Sequence, residues 1–338
     1  MPMRGRAIVN RVRQVLERVA AASLLATLGY PVAAAPSGEP IEPLPLVVPL
    51  DAPQVALGER LFADPQLSRD RLRACTSCHP LGAGGMDGQV RPQGANGQRL
   101  RNTPTIFNVG FNLFLNWDGA TERLQPHDEK VILSPALMAT TWPELLGRVR
   151  GDPSYAPLFA ALATPGVSRE NVLDALAAYE RSLVTPNSRF DRYLRGERSA
   201  LTPEELQGYE LFKSYGCIAC HQGINIGGNV VQRFGVFADP GRVPATGETP
   251  DLGRSKVTGR PRDHGVFRVP SLRNVAITAP YFHDGSAATL ESAVYTMARV
   301  QLGRELGPDQ IGQIVAFLGT LTGEYQGTPL RSPPRSEP

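Results

Sequence analysis

The chain has 338 residues, enough for two ordinary domains. Lys and Arg number 35 against 32 Asp and Glu, and beyond the first 35 residues the balance is 30 basic to 31 acidic. A near-neutral body excludes the broad basic face of a nucleic-acid binder, and four cysteines in so long a chain exclude a disulfide scaffold.

Residues 1–35 predict an export signal. Arg4, Arg6, Arg11, Arg13 and Arg18 precede the apolar run "VAAASLLATL" at 19–28, and "PVAAA" offers small residues for cleavage after Ala35. The run is too short for a bilayer, which takes about 20 apolar residues, although an uncleaved anchor is the alternative. Export places the protein in a bacterial periplasm. Pro-rich "EPIEPLPLVVPLDAP" at 39–53 reads as an extended lead-in.

"GERLF" at 58–62 predicts an amphipathic helix that delivers the chain to "ACTSCH". Cys75, Cys78 and His79 there form a Cys-x-x-Cys-His group. "GYELF" at 208–212 stands in the same relation to Cys217, Cys220 and His221 in "GCIACH". Thr202, Pro203 and Glu205 supply a cap, a first-turn proline and a capping-box partner for that second helix. Each half closes on a helix: Val172, Leu176, Tyr179 and Leu183 share one face, as do Ile311, Ile314, Val315 and Leu318. Helix, motif, long loop and closing helix therefore occur twice.

All four cysteines belong to the two pentapeptides. Covalent haem uses both sulfurs and takes the adjacent imidazole as an axial ligand, so His79 and His221 are proximal iron ligands by spacing alone. A zinc site or a redox dithiol is the alternative, but neither needs a histidine after each pair. The fold expected is mostly α: two tandem cytochrome c-like haem domains with long loops. The boundaries are 1–35 for the signal, 36–50 for the Pro-rich segment, 51–186 and 187–325 for the two domains, and 326–338 for a disordered tail.

The segments "RNTPTIFN" at 101–108, "NWDGA" at 116–120, "FRVPSLRNVAITAPYFHDGSAATLESAV" at 267–294 and "MARVQLGREL" at 297–306 narrow the comparison. Over nearly the whole mature chain the sequence resembles the bacterial di-haem cytochrome c peroxidases, whose superfamily includes the MauG-type oxidases. The resemblance implies two covalent haems c and one calcium ion. It implies Met297 as the distal ligand of the second haem, where MauG has a tyrosine, and Trp117 as the relay between haems. Asn102, Thr278 and Pro280 match the calcium position, Arg268 and Arg273 are expected at haem propionates, and His283 is expected as a hydrogen-bonded residue near the second haem.

The chain also departs from this family. No histidine follows the first motif between 80 and 102, so the ligand that closes the first iron in resting relatives is missing. Water, nothing, or a group such as Met86 would occupy that position. "SPALM" puts Leu137 where the family has its catalytic glutamate, and His127 stands at the place of a distal glutamine. His127 is the candidate acid–base group at neutral pH, although its polar run "QPHDEK" also fits a solvated helix face. The activity expected is reduction of hydrogen peroxide with electrons from a small cytochrome c or a copper protein (cupredoxin). The alternatives are a MauG-like oxidase and a non-enzymatic electron-transfer or redox-sensing protein. A homodimer is compatible with the resemblance, and no nucleic-acid partner is expected.

Overall fold

The computed structural model describes residues 39–239 and 251–332, so the signal expected at 1–35 lies outside the described residues. The helices are α1 (Ala52–Phe62), α2 (Cys75–Cys78), α3 (Leu124–Leu133), α4 (Trp142–Gly151), α5 (Ala156–Ala160), α6 (Arg169–Ser182), α7 (Arg189–Leu194), α8 (Pro203–Ser214), α9 (Ser255–Thr258), α10 (Leu290–Leu302) and α11 (Pro308–Gly319). The strands are short. β1 (Val231–Arg233) pairs antiparallel with β2 (Val266–Arg268), and β3 (Glu324–Tyr325) with β4 (Thr328–Pro329). The expectation of a mostly α chain holds.

The start of α8 follows its sequence signal. The Thr202 hydroxyl accepts the Glu205 N–H at 3.3 Å, and the Glu205 carboxylate accepts the Thr202 N–H at 2.8 Å. Pro203 sits in the first turn, where its missing N–H would have no helical partner anyway. Ser168 caps α6 through the Asn171 N–H at 3.1 Å.

Two helix crossings organise the halves, and each depends on one glycine. A Cβ on Gly58 of α1 would lie 2.0 Å from the carbonyl oxygen of Ala175 in α6. A Cβ on Gly208 of α8 would lie 1.9 Å from that of Gln313 in α11. Only glycine admits such backbone contact, so "GERLF" and "GYELF" encode the same crossing. Around the first, Leu57, Leu61, Phe62, Leu145 and Leu176 form one buried core. Around the second, Phe317 packs on Phe190 and Phe212 with ring centroids 5.1 and 5.3 Å away.

The ends of the described chain cross between the halves. Ile41 is fully buried in the second core, the Leu44 N–H donates to Asp191 at 3.1 Å, and the Pro40 carbonyl accepts from Gly223 at 2.9 Å. The Pro-rich lead-in is therefore a strap on the second core. At the other end Tyr325 meets Phe107 at 5.0 Å and Leu330 packs on the first core. This corrects the expectation of a disordered tail from 326: residues 326–332 turn back through β4, because Leu330 has an apolar surface to cover. Residues 333–338 lie outside the described residues.

Candidate functional site

Both pentapeptides fold into a single tight turn. The His79 N–H donates to the Cys75 carbonyl at 2.9 Å, and the His221 N–H to the Cys217 carbonyl at 3.0 Å. Each turn sets its two thiols and its imidazole beside one another. The second ring nitrogen is tied back as well: His79 Nδ1 lies 3.0 Å from the Gly85 carbonyl and His221 Nδ1 lies 3.4 Å from that of Ile226. A carbonyl only accepts, so Nδ1 carries the proton and Nε2 keeps a free lone pair, the tautomer an iron ligand requires. Burial lowers the proton affinity of both rings, that of His221 to about 4.

The alternatives for the cysteines lose ground. Burial pushes the Cys75 thiol well up, with Glu180 and Asp128 adding to it, and takes Cys217 to about 11. A zinc site or reactive dithiol needs thiolates. No group of three or more Cys, His, Asp or Glu among the described residues could hold a metal ion.

A cavity of about 240 Å³ opens at the second motif. Cys217, Cys220 and His221 line it together with Met297, which α10 presents. Thr289 caps α10 by accepting the Ser292 N–H at 3.2 Å. The same cavity reaches Trp117, Arg268, Asn102, Thr278 and Pro280.

Arg268 is 5 % exposed and forms no ion pair among the described residues. Its Nε donates to the Asn116 carbonyl at 3.0 Å, and its guanidinium lies 5.8 Å from the centroid of the Trp117 ring. Burial alone lowers its pKa to about 10. A buried cation facing a cavity calls for an anion there, and haem propionates fit. Arg273 differs. Its guanidinium is held by Asp191 at 2.8 Å and by the carbonyls of Ile224 and Glu42, both at 2.8 Å. The propionate role read for Arg273 is therefore corrected: Asp191 neutralises it, and it anchors the N-terminal strap.

The segment between the motifs is densely bonded. The Trp117 indole N–H donates to the Asn102 carbonyl at 2.8 Å, and the Asn102 N–H to the His283 carbonyl at 2.9 Å. The Asn102 side chain donates to the Gln89 carbonyl at 2.9 Å. His283 is buried, stacked on Phe267 at 3.9 Å and edge-on to Trp117 at 6.3 Å.

At the first motif, His127 is half-buried in α3, with its Nδ1 atom shut off from solvent. Its Nδ1 has no hydrogen-bond partner among the described residues. Burial of the ring nitrogen, helped by the charge of Arg268, lowers its pKa to about 4. The expectation of a group titrating near neutrality is thereby corrected: His127 is neutral at pH 7. Leu137, half-buried, lies in the turn after α3. The loop after the first motif folds as a small hairpin. Gly94 N–H bonds the Gln98 carbonyl at 2.8 Å, and Ala95 N–H bonds the Ala136 carbonyl at 2.8 Å, so the loop rests on the Leu137 turn. Met86 is buried and directly follows Gly85, the residue that holds the His79 ring.

Sequence reasoning missed two features. Arg101 bridges Asp118 at 2.6 Å and Asp251 at 2.7 Å, joining the two halves; no local pattern signals it. Asp128 of α3 and Glu180 of α6 are both buried and interact electrostatically with each other. Glu180 had a signal: it falls four residues after Leu176, on the buried stripe of α6.

The chain has relatives in sequence and in fold. Residues 52–199 fit a family model described as di-haem cytochrome c peroxidase. The chain is 42% identical over 311 residues to the cytochrome c551 peroxidase of Nitrosomonas europaea, covering 89% of this chain and 92% of that protein. It is 41% identical over 282 residues to the cytochrome c551 peroxidase of Pseudomonas aeruginosa, covering 82% and 80%. Among solved structures, a MauG-like protein associated with microbial copper homeostasis superposes with a TM-score of 0.72 at 29% identity, over 86% of this chain and 95% of that one. The chain belongs to the di-haem cytochrome c peroxidase family.

Proposed function

We propose that this protein is a periplasmic peroxidase that reduces hydrogen peroxide to water, with electrons from a small cytochrome c or a copper protein. Cys75 and Cys78 would hold one haem with His79 beneath it, and Cys217 and Cys220 the other with His221 and Met297. Bound there, the haems supply one-electron transfer and a place to cleave peroxide. No helix among the described residues is long and apolar enough to cross a membrane, which agrees with an exported enzyme once its signal is removed.

The rest of the chemistry falls to the chain. H₂O₂ plus two electrons and two protons gives two waters, so the first pocket must move protons. The observation that carries the proposal is His127, half-buried with an enclosed, unpartnered Nδ1 and within electrostatic range of both His79 and Arg268. Neutral at pH 7, it accepts the proton from the inner peroxide oxygen and returns it to the outer one. General acid–base groups contribute about 10²–10⁴-fold to such steps. Trp117 lines the second-motif cavity beside Arg268 and serves as the electron relay. Arg268 holds propionate charge. Asn102, Thr278 and Pro280, all on the same cavity wall, offer the oxygen ligands that suit calcium. The first pocket has no closing histidine, and its loop is fastened to Ala136, so it needs no reductive opening.

A second reading is a di-haem electron-transfer or redox-sensing protein, favoured by Leu137 where the family has a carboxylate. Steady-state peroxide consumption with a reduced cytochrome c separates the two. Turnover supports the peroxidase, and its absence in fully haem-loaded protein leaves the second reading.

A further inference from the structure

Asp128 and Glu180 face each other across the packed helices α3 and α6, each 5 % exposed. Asp128 Oδ2 and Glu180 Oε2 are buried and meet no N–H or O–H donor among the described residues. Two ionised carboxylates cannot donate to one another, and like charges in a dry site repel. A proton held between the two groups is the donor that the contact lacks. Desolvation raises the pKa of both groups, that of Glu180 to about 8, and the Glu180 charge raises Asp128 further.

The surroundings do little to neutralise the pair. From α6 comes the half-buried guanidinium of Arg181, which favours the ionised forms. From α3 comes His127, next in sequence to Asp128. From the first motif comes Cys75, which both carboxyl groups reach electrostatically. The turn Val109–Phe111, packed on α6, brings no titratable side chain. Glu59 of α1 faces Tyr179 and Tyr325 instead.

We propose that Asp128 and Glu180 form a redox-linked proton site for the first haem, binding one proton more when that haem is reduced than when it is oxidised. The proposal rests on the first motif holding a haem, as argued above. Adding an electron removes one unit of positive charge beside the pair. The carboxyl groups then bind a proton from water, and when the electron passes to peroxide that proton is free to leave with it. One electron and one proton enter together, and one of each leaves. The residues act on the haem's charge and do not touch the reacting atoms.

The test is a potentiometric titration of the first haem between pH 6 and 8 in the holoprotein. Its readout is the midpoint potential. Covalent haem at the first motif is checked beforehand, on denatured protein carrying Cys217→Ala and Cys220→Ala. Coupled uptake makes the reduction equilibrium tenfold less favourable per pH unit, a fall of about 59 mV. Asp128→Asn and Glu180→Gln, which keep the size of each group, should both flatten that slope. Wild-type infrared spectra should show the carbonyl stretch of an un-ionised carboxylic acid, and the double variant should lose it. A flat wild-type slope, or a slope unchanged in both variants, overturns the proposal. No covalent haem at the first motif overturns the reading beneath it instead.

Discussion

The indole N–H of Trp117 donates to the main-chain carbonyl of Asn102 at 2.8 Å, while the Asn102 N–H donates to the His283 carbonyl at 2.9 Å. One residue thus fixes the aromatic ring of the first half to the backbone of the second. Trp117→Phe keeps a ring there and removes the donor, leaving a buried carbonyl unpaired at a cost of about 1–3 kcal/mol. Reoxidation of the second haem by peroxide, followed by stopped-flow absorbance, should slow in this variant. An unchanged rate would remove Trp117 from the electron path.

Met297→His should lower the potential of the second haem, because a His/Met pair holds a higher potential than a bis-His pair. The sulfur-to-iron charge-transfer band should vanish with it. A band that survives the substitution would place the ligand elsewhere.

The oxidised protein should bind cyanide at one haem without prior reduction, since no histidine lies between 80 and 102 and the loop is tied to Ala136. Two low-spin haems that bind no ligand would show that another side chain closes the first site.

Gly208→Ala should destabilise the fold by about 1–3 kcal/mol through overpacking, outweighing the roughly 1 kcal/mol gained in helix propensity. The new Cβ would lie 1.9 Å from the Gln313 carbonyl, which belongs to a helix backbone and cannot swing aside. Denaturant melting of the holoprotein measures this, and an unchanged midpoint would contradict the close crossing.

The four helices that cross were legible because each is local, an amphipathic stretch before a motif and another closing the half, stated twice. That Gly58 and Gly208 bring their backbones together depends on Ala175 and Gln313, far along the chain. The motif turns were legible because they too are local. Burial set by distant partners was not. Nothing near Arg273 announces Asp191, which lies 82 positions earlier, and nothing in "EPIEPLPL" says that Ile41 will enter the second core. His127 sits in a run of polar residues, so its burial depends on what α3 packs against. Met297 was placed by resemblance, since a methionine at helical spacing is ordinarily core filler.

His127 also sets a pH dependence. Its folded pKa, about 4, lies below the ordinary value near 6.5. The unfolded chain therefore binds more protons between those values, so this contribution to stability is full above pH 6.5 and is lost as pH falls toward 4. The Asp128–Glu180 pair has the opposite sign, so the informative quantity is the difference between wild type and His127→Gln. The variant should lose less stability over that interval. Parallel curves would mean that His127 is not buried as a neutral group.

Oxidation of a reduced small cytochrome c by hydrogen peroxide at pH 7, measured in steady state for wild type and His127→Ala, bears most directly on the peroxidase. The wild type should turn over, and the variant should be slower by about 10²-fold or more with both haem spectra intact. Leu137→Glu added to that variant should restore much of the rate. Equal rates in wild type and His127→Ala would take the histidine out of the mechanism, and a haem-loaded wild type that consumes no peroxide would contradict the peroxidase itself.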